Sequence, residues 1–310
     1  MKRTLAILAM FAAWGICACA ASPQATLSPG ESDPGDRELQ RGIYWYHQGC
    51  TRKALDHLRA AHELYSLADR QAGVARSLIG LANLYRQTDN PENALLFYDA
   101  AASAARRCDE QTTVAQALSN KAAVLIEAGD LSLAETLLNE AQLACRKPGS
   151  ATAMILNYRA VLSMKARRYD EAWAFLDKAE SSGAETPSTV AATIRFTRGK
   201  IRMWTGDYEQ ALDLFQQALE RDRRMGFARG MADDLLAMAD VHERMGHNED
   251  ALDCLERGLK IHALMGRRQI VMDNLDRLAS LAEQTGSDAR VSVHYINQWL
   301  AGERVDVICR

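Results

Sequence analysis

The sequence lacks the motifs that usually carry catalysis or phosphate binding. It contains neither G-x-x-x-x-G-K nor G-x-G-x-x-G, the glycine patterns whose backbone cradles phosphates. It has no G-x-S-x-G nucleophile motif, and no cysteine–histidine pairing stands out from the background. These absences argue against an enzyme, so we expect no catalytic residue and no cofactor.

The histidine spacing predicts no metal site either. His242 and His247 are five residues apart, whereas a spacing of four places two histidines on one helical face. Gly246 lies between them and is expected to break the helix. His57 and His62 are also five apart. We therefore expect these histidines to be surface residues, with no bound metal.

The chain has no excess of positive charge and no C-x-x-C motif. Its 37 lysines and arginines face 40 aspartates and glutamates, which argues against nonspecific nucleic-acid binding because that requires a basic face. Beyond residue 20 the number of cysteines is odd, so they cannot all pair within one chain. A Cys108–Cys145 disulfide is one possibility in an oxidising compartment, but free, partly buried thiols are the favoured interpretation. These cysteines are Cys50, Cys108, Cys145, Cys254 and Cys309.

One long apolar run is present, at the start of the chain. Lys2 and Arg3 precede it and small residues follow, a pattern typical of a secretory signal peptide over residues 1–20. The segment Ile16-Cys17-Ala18-Cys19 resembles a bacterial lipobox, which would make Cys19 the lipidated first residue and anchor the protein in a membrane. Ala18-Cys19-Ala20 also fits ordinary cleavage after Ala20, which would give a periplasmic or secreted protein. Because Ala20 is not aspartate, we expect an outer-membrane rather than an inner-membrane lipoprotein.

Residues 21–36 are rich in proline, serine and glycine, and we predict a flexible linker there. Nothing later in the chain is expected to span a bilayer.

Small residues recur at nearly constant spacing through the rest of the chain. They are 38 to 40 residues apart, which is the mark of a solenoid built from one repeated unit. The recurring positions are Ala54, Ala94, Ala134, Ala172, Ala211 and Ala251, with Val291 in the next place.

Each repeat is predicted to be two helices joined by a tight turn. In the fifth repeat Ala211, Leu214, Phe215 and Ala218 follow the i, i+3, i+4, i+7 pattern of one buried helical stripe. Five repeats have a glycine at the turn, where a positive φ ends the first helix, at Gly49, Gly129, Gly206, Gly246 and Gly286. Small residues in the first helix would allow close helix packing, at Gly42, Ala82, Ala122, Ala160, Gly199, Ala239 and Ala279. Bulky residues in the second helix would fill the contact, at Leu58, Tyr98, Leu138, Leu176, Phe215, Leu255 and Tyr295.

This order of small residue, turn, alanine, large apolar residue and alanine resembles the tetratricopeptide repeat over about residues 35–300. The repeats are longer than is usual in that family, and most lack its closing proline. The segment Leu118-Ser119-Asn120-Lys121-Ala122 is similar to repeats of kinesin light chains. The resemblance implies an all-α, right-handed superhelical solenoid of about seven helix-turn-helix repeats over residues 37–302. Its last repeat would be degenerate and act as a cap, followed by a C-terminal tail at 303–310.

The resemblance also implies a binding surface, because first helices line the concave groove in this family and partner peptides lie there. Asn83 and Asn157 can each donate and accept hydrogen bonds, as a clamp on a peptide backbone requires, although solvated polar residues would look the same. The lining changes from basic to acidic along the chain, which would either orient a partner or only keep the groove soluble. The implied partner-binding residues are Arg76, Asn83, Arg86, Ser119, Asn157, Lys200, Asp240 and Glu243.

Three arginines in the fifth repeat occupy one helical stripe where apolar residues are expected. One hypothesis is a site for a carboxylate or phosphate group. The favoured alternative is that they pair with nearby carboxylates such as Glu171, Asp207 or Glu209, or are solvated. The arginines are Arg195, Arg198 and Arg202.

The function implied by these features is a non-enzymatic protein-interaction scaffold in a bacterial cell envelope. It would bind a partner peptide or helix in the groove and assist an envelope machine such as a pilus or secretion system. The alternative is an envelope sensor or regulator that binds an anionic ligand or a cell-wall fragment.

Overall fold

The computed structural model describes residues 33–145, 148–182, 188–302 and residue 309. The predicted signal peptide, Cys19 and most of the predicted linker and C-terminal tail lie outside the described residues. Within them, no helix is apolar over a length that could cross a membrane.

Fourteen helices in the described part of the chain confirm the all-α repeat solenoid, and the first twelve form six consecutive packed hairpins. The last two helices are joined by the same kind of turn and we call them the seventh hairpin, although the fourteenth helix packs on the twelfth rather than on the thirteenth. The first helix begins at Pro34, where proline is favoured at the first helical position, so residues 34–36 are helical although they were predicted to belong to the linker. The helices are α1 (Pro34–His47), α2 (Thr51–Leu67), α3 (Gln71–Gln87), α4 (Pro91–Arg107), α5 (Gln111–Ala128), α6 (Leu131–Ala144), α7 (Ser150–Lys165), α8 (Tyr169–Ser181), α9 (Ser188–Thr205), α10 (Tyr208–Met225), α11 (Ala228–Met245), α12 (Asn248–Leu264), α13 (Arg268–Thr285) and α14 (Arg290–Leu300).

The turn inside each hairpin contains a residue with positive φ. The five predicted glycines occupy this position, as Gly129 does with a φ of +88°. In the second and fourth hairpins Asp89 (φ +56°) and Arg167 (φ +59°) take the glycine's place. The turn geometry is therefore kept in all seven hairpins, even where a side chain with a β-carbon must adopt a strained conformation.

The predicted helix contacts are confirmed in the first six hairpins. The six recurring alanines are fully buried, and so are the bulky residues from Leu58 to Leu255 that pack beside them. The small residues are needed: a β-carbon added at Gly199 would lie 2.6 Å from the ring of Phe215, and one at Gly42 would lie 2.7 Å from Leu58. Close helix approach thus depends on pairing a small residue with a large one.

The seventh hairpin departs from the predicted register. Val291 and Tyr295 are 64% and 47% exposed, and the buried positions of α14 are instead Ser292 and Ile296. In α13 the buried residue is Leu278 rather than its neighbour Ala279. The prediction of Val291, Tyr295 and Ala279 as contact residues between α13 and α14 is therefore wrong, because α14 packs on α12 instead of on α13.

The early hairpins contact the late ones along a line that we call the seam. It joins residues 46–50, 89 and 127 to residues 226–229, 265–267 and 309. The ring of His47 lies 5.2 Å from that of Phe227, and Gly49 lies against Met265 and Ala228. Because these residues are between 102 positions (Glu127 and Arg229) and 259 positions (Cys50 and Cys309) apart in sequence, the solenoid curves until its turns meet.

A disulfide between Cys50 and Cys309 closes the seam. Cys108, Cys145 and Cys254 form no disulfide among the described residues, so the Cys108–Cys145 pairing is wrong, and the interpretation of all the cysteines as unbridged thiols holds for these three only. The sequence does not reveal the bridge because its two residues meet only after seven hairpins have curved around.

Candidate partner-binding site

The first helices of successive hairpins face a common interior, which we call the inner face. Lys200 of α9 is close enough to Asp233 and Asp240 of α11 to interact with their charges, and also with Glu127 of α5. Arg86 of α3 interacts with Tyr158 of α7. Since these residues come from five different hairpins, the first helices line the interior, as expected from the family resemblance.

Five charged residues form the centre of the inner face, and we call them the inner charge cluster. They are Arg86, Glu127, Lys200, Arg229 and Asp233. Arg86 donates two hydrogen bonds to Glu127, with Nη2–Oε1 and Nε–Oε2 distances of 2.6 and 3.2 Å. Arg229 lies 3.9 Å from the same carboxylate and 3.4 Å from Asp233. Glu127 therefore bridges two arginines from hairpins that are far apart in sequence.

Burial and neighbouring charges shift the ionisation of this cluster. Burial alone would raise the pKa of Glu127, but the charge of Arg86 and its hydrogen bonds outweigh burial and lower that pKa. Burial lowers the pKa of Lys200, and the charge of Asp233 opposes the shift. Glu127 is thus held in its ionised form, whereas the charged form of Lys200 is disfavoured by burial. A binding partner with an acidic group would stabilise the charged form of Lys200.

A ladder of tyrosine and asparagine side chains crosses three hairpins beside the cluster. The hydroxyl of Tyr98 and the amide of Asn120 both donate to Asn83 Oδ1, at 2.6 and 3.2 Å. Tyr158 donates in turn to Asn120 Oδ1 at 3.2 Å. The carbonyl of Asn83 is therefore occupied by internal bonds, which leaves its amide group as the part available to a partner.

A cavity of about 420 Å³ opens next to this ladder, between α1, α3 and the start of α5. Arg76 and Asp36 form an ion pair of 3.3 Å at its wall. Its lining combines apolar side chains with a few polar groups, the composition that binding sites for side chains or small ligands usually have. The lining includes Leu39, Ile43, Ile79, Gln40, Tyr46, Asn83 and Gln116.

The structure brings most of the predicted site residues to the inner face. Arg76 and Asn83 line the cavity, and Arg86 and Lys200 belong to the inner charge cluster. Asp240 and Glu243 both pair with Arg277 of α13, at 2.7 and 2.9 Å, which neutralises part of the predicted acidic end.

Ser119 and Asn157 are placed differently from the other predicted residues. Ser119 is 2% exposed, and its hydroxyl donates to the backbone carbonyl of Gln116 at 3.1 Å. Asn157 is 1% exposed, and its Oδ1 has no hydrogen-bond partner among the described residues. Both side chains support the wall of the inner face and do not reach its surface.

The arginine stripe of α9 is held by carboxylates and a tryptophan. Arg198 pairs with Asp177 at 2.7 Å and with Glu180 at 3.0 Å. Arg202 pairs with Asp207 at 3.3 Å and lies 4.5 Å from the ring centre of Trp173. These contacts support the favoured interpretation, although Asp177 and Glu180 were not among the expected partners. Arg195 lies 4.0 Å from Glu180, and Glu171 pairs with Arg168 instead.

Sequence reasoning missed three residues of the inner face: Glu127, Arg229 and Asn120. Asn83 and Asn120 are 37 residues apart, a spacing close to the repeat period that could have identified these two members of the ladder. Glu127 and Arg229 carry no such signal, because their pairing depends on the curvature that forms the seam.

One group of possible metal ligands occurs among the described residues: His242, His247 and Asp250. The helix does end at Gly246, as predicted, but the turn brings the two histidines together rather than separating them. The expectation that the spacing keeps them apart is therefore wrong.

Comparison with known proteins agrees with the fold. The tetratricopeptide repeat family matches residues 189–263 and residues 75–108. No curated protein matches the sequence.

Several solved structures are similar in fold, all at low sequence identity. The Rap conjugation gene regulator of plasmid pLS20, in complex with the Phr* peptide, matches with a TM-score of 0.58 and 14% identity over 94% of this chain and 82% of that one. A Rap protein complexed with competence and sporulation factor gives a TM-score of 0.56 and 16% identity, covering 82% of this chain and 77% of the other. The Cut9–Hcn1 hetero-tetramer of the APC/C matches with a TM-score of 0.54 and 15% identity, over 86% of this chain and 51% of that one.

The family matches fall on α3–α4 and on α9–α12, hairpins whose small and large contact residues are buried as the repeat pattern requires. The remaining hairpins have the same two-helix unit. The chain therefore contains tetratricopeptide repeats within an all-α repeat solenoid.

Proposed function

We propose that this protein is a non-enzymatic scaffold of the bacterial cell envelope that binds a peptide or helix of a partner protein along its inner face. The observation that carries the proposal is the cavity of about 420 Å³ on the inner face, next to the polar ladder and the inner charge cluster. An extended surface of this kind, lined by first helices, suits an elongated partner.

The structural relatives support a peptide as partner. Two of the similar structures are Rap proteins in complex with a peptide or with competence and sporulation factor. At 14% and 16% identity they share the fold with this chain, so the nature of its own partner is a proposal based on the inner face.

The inner face offers a side-chain site and backbone contacts together. The apolar wall of the cavity would receive a side chain, whereas the Asn83 amide and the exposed Gln116 would hydrogen-bond to the partner's backbone. The ladder and the ion pairs already hold these groups in place, so little ordering of the scaffold is needed on binding.

We place the protein in the envelope on the basis of the sequence pattern of its N-terminal segment, and the disulfide supports this proposal. Residues 1–20 have the pattern of a secretory signal, and Cys19 lies at the position that a lipobox would modify. Disulfides persist in oxidising compartments, and Cys50–Cys309 is such a bond. Lipid anchoring would hold the solenoid at a membrane where envelope machines assemble, and mass spectrometry of the mature N-terminus tests it.

Site-specific photo-crosslinking in cells tests the binding face. A photoreactive amino acid at Gln116, which is exposed and lines the cavity, is expected to capture a specific partner. The same group at Glu135, which is exposed on the second helix α6, is the matched control and is expected to capture none. Arg76→Glu reverses a charge at the cavity wall and should reduce the capture about tenfold. Equal capture from both positions, unaffected by Arg76→Glu, contradicts the proposal.

A second candidate is a sensor that binds an anionic ligand or a cell-wall fragment. The observation that favours it is the composition of the inner charge cluster, in which Arg86, Lys200 and Arg229 outnumber two carboxylates. Binding of purified cell-wall fragments that is lost in Lys200→Gln, with no peptide crosslinked from Gln116, would favour the sensor.

A further inference from the structure

We propose that His242, His247 and Asp250 form a binding site for a divalent transition-metal ion, and that Zn²⁺ is the ion their chemistry favours. Imidazole nitrogen and carboxylate oxygen are both ordinary Zn²⁺ ligands, and three protein ligands plus a water complete a tetrahedral site. The site lies at the turn between α11 and α12 and is separate from the proposed binding function.

The turn of the sixth hairpin creates the site. His242 is in the last turn of α11, His247 is the N-cap residue of α12, and Asp250 is in the first turn of α12. In a continuous helix, residues five apart point about 140° away from each other, given 3.6 residues per turn. Gly246, with a φ of +75°, reverses the chain between the histidines, and this reversal brings their rings within 6.1 Å of each other.

The distances fit a site that closes around an ion. The three possible ligand atoms all lie within 4.8 Å of one another, and His242 Nδ1 is 4.0 Å from Asp250 Oδ2. With metal–ligand bonds of about 2.0–2.2 Å, tetrahedral ligand atoms are roughly 3.3 Å apart. The atoms must therefore approach by up to about 1.5 Å, which rotation of the exposed His247 and Asp250 side chains can supply while the backbone stays fixed.

The ligand atoms are also poorly satisfied by the protein itself. His242 Nδ1 is buried and has no hydrogen-bond partner among the described residues, although buried ring nitrogens normally have one. His247 is at an N-cap but makes no side-chain capping bond, unlike the serine, asparagine or aspartate that usually occupies this position. A bound ion would give Nδ1 of His242 a partner. It would also account for a histidine at position 247, where the side chain makes no capping bond.

A metal at this position would tie α11 to α12 and stiffen the hairpin. The turn is already joined to the seventh hairpin, because Asn248 donates to Gln284 at 3.0 Å. Glu243, the residue after His242, pairs with Arg277 of α13. Binding would therefore stabilise the packing of the sixth hairpin on the last one, which is the degenerate end of the solenoid.

Calorimetric titration of the full chain with Zn²⁺ tests the proposal, using metal-free protein without a polyhistidine tag. We expect one ion per chain and a rise in Tm on addition of Zn²⁺. His247→Ala and Asp250→Asn remove exposed ligands and should each weaken binding tenfold or more. Visible absorption of the Co²⁺-loaded chain should show the intense bands of a tetrahedral site, and His242→Ala should abolish them.

Two variants serve as matched controls. His294→Ala removes an exposed histidine elsewhere, and Asp253→Asn removes a carboxylate of α12 that already pairs with Arg257 at 2.6 Å. Both should bind Zn²⁺ as the parent does. Absence of Zn²⁺ binding by the parent overturns the proposal, and so does binding that is unchanged in both His247→Ala and Asp250→Asn.

Discussion

The size of one side chain decides how closely the two helices of a hairpin approach. Ala172 is fully buried between α7 and α8, where Leu176 occupies the adjacent space. A larger residue at position 172 has no free volume to enter, so it must displace its neighbours.

Ala172→Leu is accordingly expected to destabilise the protein by about 1–3 kcal/mol through overpacking. Urea unfolding followed by circular dichroism measures the change. Ala174→Leu lies on the exposed face of the same helix and is the matched control, with an expected change within about 0.5 kcal/mol. Equal effects of the two variants would show that burial at position 172 is not the cause.

A single ion pair joins the second hairpin to the last one across the seam. Arg267 is 7% exposed, and its Nη2 donates to Asp89 Oδ1 at 2.9 Å. Asp89 also adopts a positive φ of +56°, a conformation that asparagine tolerates well. Asp89→Asn therefore removes the charge without changing the backbone.

We expect Asp89→Asn to destabilise the fold by about 1–3 kcal/mol, because a buried guanidinium then loses its counter-charge. Thermal unfolding at low and high salt measures the loss. Asp109→Asn is a close control, since Asp109 has a φ of +57° in an exposed turn and accepts a bond from Gln111. If Asp109→Asn destabilises the protein as much as Asp89→Asn does, the effect comes from the turn and not from the ion pair of the seam.

At the scale of elements, α10 and α11 are joined by two buried carboxyl groups. Asp222 and Asp234 are 5% and 1% exposed, and each has a buried oxygen without a hydrogen-bond partner among the described residues. Burial, with the added charge of Asp233, raises the pKa of Asp222 to about 7. Burial and the charges of Asp222 and Asp233 raise the pKa of Asp234 to about 9. The contact between the two helices is therefore best satisfied when these carboxyls are protonated.

This contact predicts that the protein becomes less stable as pH rises. An aspartate in the unfolded chain titrates near 3.9, so between about pH 4 and pH 9 the folded chain holds a proton on Asp234 that the unfolded chain has lost. Each proton held in this way lowers stability by up to about 1.4 kcal/mol per pH unit, and Asp222 contributes up to about pH 7 whereas Asp234 contributes up to about pH 9. Asp234→Asn should reduce the slope below pH 7 and remove it above, and it should be more stable than the parent at pH 8 but not at pH 4. Urea unfolding at pH 4, 6 and 8 measures it, with the exposed Asp276→Asn as a control that keeps the parental slope.

The hairpins could be predicted from the sequence because each depends on contacts between residues close together in the chain. Phe215 packs on Gly199 sixteen residues away, and the period repeats such pairs until the sixth hairpin. In the seventh hairpin the period persists in sequence, but Ile296 is buried in place of Tyr295, and α14 packs on α12 instead of on α13. A sequence period cannot reveal such a change of packing partner.

The inner face could be predicted only in part, for a related reason. Register alone identifies which side of α3 faces inward, and so finds Arg76 and Asn83. It does not identify what that side meets, since Glu127 reaches Arg229 only through the curvature of the whole solenoid. The extent of burial at Asn157 likewise depends on neighbouring helices.

At the scale of the whole molecule, we expect the seam to determine how far the inner face is open. The disulfide from Cys50 to Cys309 spans 259 residues, so it restricts the unfolded chain strongly and also holds residue 309 against the first hairpin. The ring contacts of Phe227 with Tyr46 and His47 and the Asp89–Arg267 pair close the rest of the seam without covalent bonds. Reduction breaks the disulfide and leaves the noncovalent contacts of the seam in place, so the two contributions to stability can be measured separately.

Reduction of the disulfide should lower the free energy of unfolding by about 2–4 kcal/mol, because the unfolded chain regains the entropy of a large loop. Cys309→Ser should show the same loss and no further response to reductant, whereas Cys108→Ser, which removes a free thiol, should respond as the parent does. Thermal unfolding with and without reductant measures these differences.

Because the noncovalent seam persists, combining Cys309→Ser with Asp89→Asn should expose the inner face, seen as faster hydrogen exchange in α3 and α5 than in either single variant. Exchange in the double variant no faster than in the single ones would mean that the curvature of the solenoid is set within the hairpins, independently of the contacts between its ends.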